Sequence, residues 1–77
     1  MKKRSIRDIA IEILRDWKKP HYAAAPYLNA MLHLNDINDR YGYDSGQMVV
    51  AYFLSNSGTW KGETARRIKN ELREMLN

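Results

Sequence analysis

The 77-residue sequence has no cysteine, which excludes disulfides and thiolate metal sites and leaves a small fold to be held by packing alone. That absence accords with a reducing, intracellular setting. Two prolines and four glycines are too few to build a linker or a low-complexity tract. The longest apolar run, residues 48–54, is far short of the ~20 residues that a bilayer-crossing helix requires. Nor is Met1-Lys2-Lys3-Arg4 followed by the apolar stretch of a signal peptide. The expectation is a cytoplasmic protein without a membrane partner.

Chemistry-bearing patterns are also scarce. His33 and Asp36 stand three apart, but no HExxH accompanies them, and a solvated polar face accounts for the pair. Ser45, Ser55, Ser57, Thr59 and Thr64 lack a visible base and orienting group; their places at predicted helix ends point to capping. Gly58 and Gly62 lie near a helix start, yet residues 57–64 lack the GxxxxGK[ST] arrangement that wraps phosphates. The sequence therefore reads as a non-enzyme, with no catalytic residue, no metal and no cofactor assigned.

What is present is an ordinary globular balance, 44% apolar and 29% charged, arranged with helical periodicity. Ile6, Ile9, Ala10, Ile13, Leu14 and Trp17 fall at the three-and-four spacing of a helix with one buried face, capped by Ser5 and stopped after Lys18-Lys19-Pro20. A second helix is predicted from near Pro26, with Tyr27, Ala30, Met31, Leu34, Ile37 and Tyr41 inward and Gly42 as its left-handed terminator. Asp44-Ser45-Gly46-Gln47 reads as a capping box with Asp44 the cap. It opens a third helix that is apolar on every side and hence predicted to be buried at the centre. From Thr59, the predicted cap, Trp60, Thr64, Ala65, Ile68, Leu72, Met75 and Leu76 trace the face of a fourth. The predicted fold is all-α, a compact bundle of four short helices in one domain, residues 1–77. A chain this short buries only ~60% of its unfolded surface, so a homodimer is compatible with it.

Thirteen basic residues against nine acidic give a net charge of +4. On the last predicted helix Arg66, Lys69 and Arg73 share one face, with Lys61 and Arg67 nearby; interspersed Glu63, Glu71 and Glu74 also fit an ordinary solvated face. Trp60, Ile68 and Leu72 commit that helix to the core, so phosphate contact is easier to support than base reading by a helix-turn-helix. Two tryptophans, five tyrosines and one phenylalanine are many for this size. Tyr22, Tyr43 and Trp60 fall at predicted loops or caps, where they either form an exposed patch or plug the bundle ends.

The segments Tyr41-Gly42-Tyr43-Asp44-Ser45-Gly46, Tyr52-Phe53-Leu54-Ser55-Asn56 and Trp60-Lys61-Gly62-Glu63-Thr64-Ala65-Arg66-Arg67-Ile68-Lys69 resemble small uncharacterised bacteriophage-encoded proteins. The resemblance spans about the C-terminal half and carries no activity or site residues. It implies context: a phage accessory protein in the host cytoplasm that acts by binding a host protein or nucleic acid. The expected contact residues are Arg66, Lys69, Arg73, Lys61, Trp60 and Tyr43. The leading expectation is a macromolecule bound through exposed aromatics and the basic face. The alternative is nucleic acid bound by that basic face, with Lys2, Lys3 and Arg4 as a flexible arm.

Overall fold

The computed structural model describes residues 4–77. Helix α1 (Ile6–Asp16) begins where Ser5, in extended backbone, accepts a hydrogen bond from Asp8 N at 3.1 Å, satisfying one of the amides that a helix start leaves open. Ile6, Ile9, Ala10 and Ile13 are buried. Leu14, at the margin of the predicted stripe, is exposed, and Trp17 packs part-buried against the core.

Helix α2 (Ala25–Met31) carries Pro26 in its first turn but ends ten residues short of the predicted Tyr41. The Asp39 carboxylate accepts from Asn35 N and Asp36 N, both at 3.1 Å, and Asp36 accepts from Asn38 N at 3.0 Å. These short polar side chains offer the backbone an alternative to the helix ladder. Leu34 is still buried and Ile37 still packs on the core, so the apolar spacing continues where the helix does not.

Strands β1 (Arg40–Tyr41) and β2 (Asp44–Ser45) then pair antiparallel, Arg40 opposite Ser45 and Tyr41 opposite Asp44. Gly42 takes φ 64° while Tyr43 keeps a negative φ, the combination of a type II′ hairpin turn with glycine first. Gly42 is thus left-handed in a hairpin rather than at a helix end. The fold is mostly helical, not all-α, because this small sheet stands between α2 and α3.

The cap of α3 (Gly46–Ser55) is Ser45 rather than Asp44: its hydroxyl accepts from Met48 N at 3.2 Å. A Cβ on Gly46 would lie 2.6 Å from the Ile37 carbonyl oxygen and 3.0 Å from that of Asp36, so only glycine lets the helix start against that backbone. Gly46, Val49, Val50 and Phe53 are buried. Met48, Ala51 and Tyr52 face solvent, which corrects the expectation of a third helix buried all round: one face packs and the other does not.

Helix α4 (Glu63–Leu76) starts at an N-cap Gly62 that has no side chain to cap it, not at Thr59, which is exposed. Ala65, Ile68 and Leu72 are buried. In the connection from α3, Ser57 is buried and its hydroxyl donates to Leu54 O at 3.0 Å. Trp60 lies in the core at 2% exposure. Its indole N–H donates to Asp16 Oδ2 at 2.8 Å, its ring stacks on Trp17 at 5.7 Å, and Phe53 meets it edge-on at 6.3 Å. This aromatic cluster ties the end of α1 to the start of α4. Among the described residues no helix is long and apolar enough to cross a membrane.

Candidate functional site

The sequence of α4 sorts its charges by flank. At ~100° per residue, Arg66, Lys69 and Arg73 fall within an arc of ~60° on one side of the Ala65/Ile68/Leu72 stripe, while Arg67 and Glu71 fall on the other. The second flank faces α1 and is neutralised there. Arg4 forks onto Glu71, Nε to Oε2 at 3.0 Å and Nη2 to Oε1 at 2.7 Å, and reaches Glu12 Oε1 with Nη1 at 2.6 Å. Glu12 also accepts from Arg67. The Arg67 contact, followed by that of Arg4, holds the Glu12 carboxyl below the usual glutamate range. The bond to Glu71 is the main reason that the Arg4 guanidinium is held still more firmly protonated.

The first flank keeps its charge. Lys61, Arg66, Lys69 and Arg73 line one open depression of about 510 Å³ with Gly58, Gly62, Glu63, Ala65 and Trp60. Lys61, Arg66 and Arg73 are exposed, and none makes an ion pair among the described residues. Arg73 donates to Asn70 Oδ1 at 3.3 Å.

Lys69 has a different part. Its ammonium donates to Ser57 O at 2.8 Å and Trp60 O at 2.6 Å and sits 5.7 Å from the Trp60 ring centre. Burial, then the nearby charges of Arg73 and Lys61, push it below the ordinary lysine range. Four cations line the depression against the single carboxylate of Glu63, so it carries a net positive potential. Lys69 both closes the α3–α4 connection and adds to that field.

The structure therefore brings Lys61, Arg66, Lys69 and Arg73 together and separates the two aromatics from the role predicted for them. Trp60 floors the depression, but its ring is spent on the core, and it offers no exposed face. Tyr43 is fully exposed at the hairpin tip and does not line the depression. Lys2 and Lys3 lie outside the described residues. Arg4, read as part of a flexible arm, is instead fastened to Glu12 and Glu71.

His33 and Asp36 do not share a helix, since α2 ends before both; the His33 ring stacks on Tyr41 at 5.4 Å, and Asp36 is engaged by Asn38 N. Three features escaped the sequence reading: the exposed Met48/Tyr52 face of α3, on which Tyr27 rests at 5.4 Å from Tyr52; Glu12 as the hub of the ion-pair network; and Lys69 as a clamp. Only the last had a signal. Lys69 is four residues after Ala65 and three before Leu72, which puts its stem at the border of the core stripe. No family model, no curated protein and no solved structure matches this chain.

Proposed function

We propose that this chain is a non-enzymatic interaction protein, a small phage accessory protein, that binds a host or phage macromolecule by docking an anionic surface on the outward flank of α4. The observation that carries this reading is the segregation of charge on one helix. Arg67 pairs with Glu12 of α1 and Glu71 with Arg4 just before that helix, whereas Lys61, Arg66 and Arg73 form no ion pair among the described residues and line one depression. Exposed cations that outnumber the acids around them, here four against Glu63, raise the local concentration of an oppositely charged partner and speed its encounter.

The test separates a site from net charge. Arg66→Glu/Arg73→Glu and, as control, Arg7→Glu/Arg15→Glu on the exposed side of α1 change the total charge equally. On an immobilised polyanion such as heparin, the α4 variant should elute at much lower salt than the wild type and the α1 variant close to it. Equal losses would reduce the effect to net charge and sink the reading.

A second reading keeps the aromatic interface. It is favoured by Tyr43 at full exposure and by Met48 and Tyr52 at 43% and 46%, large apolar side chains of the kind that anchor protein partners. The burial of Trp60 removes one of its anchors.

A further inference from the structure

We infer that the polyanion docked on α4 is double-helical nucleic acid, gripped by its phosphates without reading of base sequence; the inference rests on the function proposed above. Three observations lead there. The first is linear order. Arg66, Lys69 and Arg73 step along ~10 Å of helix axis at ~1.5 Å per residue, and Lys61 extends the row before the first turn. A duplex offers a phosphate charge every ~1.7 Å of its axis, so a short row of cations meets several phosphates in any register.

The second is the lack of a stacking surface in the depression. Proteins that hold single strands interleave cations with aromatic faces on which bases stack. Trp60 is the one aromatic that lines this depression, and it is 2% exposed, covered by Trp17 and Phe53. The exposed tyrosines, Tyr22, Tyr41, Tyr43 and Tyr52, belong to the α1–α2 connection, the hairpin and α3, and none lines the depression.

The third concerns base reading. Ala65, Ile68 and Leu72 hold one face of α4 on the core, which leaves the outward flank as the part of this helix that can meet a duplex. Asn70 Oδ1, on the same helix, accepts from Arg73 at 3.3 Å. The depression on that flank presents guanidinium and ammonium groups with the carboxylate of Glu63, and contacts of such cations to phosphate position a backbone without carrying sequence information.

The experiment is a fluorescence-polarisation titration of the full chain against two labelled duplexes of unrelated sequence, a single strand of the same length and a poly-glutamate peptide, between roughly 50 and 200 mM salt. The two duplexes should bind alike within about twofold and more tightly than the other probes. Three phosphate contacts give a slope of log K against log salt of about −2.7. Arg66→Ala and Arg73→Ala should each reduce that slope by about one, with the helical circular-dichroism signal unchanged because both side chains are exposed. Tighter binding of the single strand, or a clear preference for one duplex, overturns the inference. Tightest binding of poly-glutamate also overturns it but leaves the anionic docking face standing. Failure to bind any of the probes at the lowest salt overturns both.

Discussion

Replacing Lys69 by methionine keeps an unbranched stem over the Trp60 ring and removes the ammonium. Two carbonyls then lose their charged donor. Ser57 O retains Trp60 N at 3.0 Å, whereas among the described residues Lys69 is the sole partner of Trp60 O. A hydrogen bond to a charged group contributes about 1.5–3 kcal/mol. The ammonium is only part-buried and keeps some water, and Ser57 O keeps one bond, so the pair is discounted to about 2 kcal/mol in total. For a domain of this size that lowers the melting temperature by about 8–16 °C. Thermal unfolding followed by circular dichroism and by tryptophan emission reads the loss, and the emission also reports any shift of Trp60 against Trp17. A Lys69→Met protein within about 0.5 kcal/mol of wild type, the scatter of ordinary surface changes, would refute the clamp and return Lys69 to the role of a solvated cation.

Gly46→Ala should lose about 1–3 kcal/mol in urea unfolding, the range for overpacking, since the new methyl meets the Ile37 and Asp36 carbonyls; Gly58→Ala, with open space around it, is the matched control. Acid unfolding should involve Glu12. Its folded-state carboxyl titrates below the ordinary 4.5, so the unfolded chain takes up its proton first, and the stabilisation present above about pH 4.5 is lost as pH falls through the folded-state value. Glu12→Gln should therefore be less stable at pH 7 and show a shallower loss below pH 4.5, read as urea midpoints across that range. Tyr43→Ala should leave stability within about 0.5 kcal/mol, because the ring is fully exposed; a larger loss would mean that the hairpin tip packs.

The parts of the fold legible in the sequence are those where local pattern and final environment coincide. Ile6, Ile9, Ala10 and Ile13 on α1 and Ala65, Ile68 and Leu72 on α4 announce one buried face each, and the same residues are buried. The hairpin was hidden because Leu34 and Ile37 extend the α2 periodicity while Asp36 and Asp39 unmake the helix through contacts that spacing does not reveal. An all-apolar segment such as residues 48–54 cannot say which side its neighbours cover, and here Met48 and Tyr52 are left outside. Trp60 is placed by partners distant in sequence, above all Asp16 and Trp17. Of the candidate site, the shared face of Arg66, Lys69 and Arg73 follows from helical spacing alone. That Arg67 is paired by Glu12 and Glu71 by Arg4 depends on tertiary packing, and this pairing leaves Arg66, Lys69 and Arg73 as the excess charge of the helix.

The central claim is that an anion docks on the outward flank of α4, and an amide-resolved NMR titration with tripolyphosphate locates the contact residue by residue. Shifts concentrated at Lys61, Arg66, Lys69 and Arg73, with little change at Arg7, Arg15 and Tyr43, are expected. Shifts centred on the hairpin and on Met48 and Tyr52, or spread evenly over every exposed cation, would contradict it.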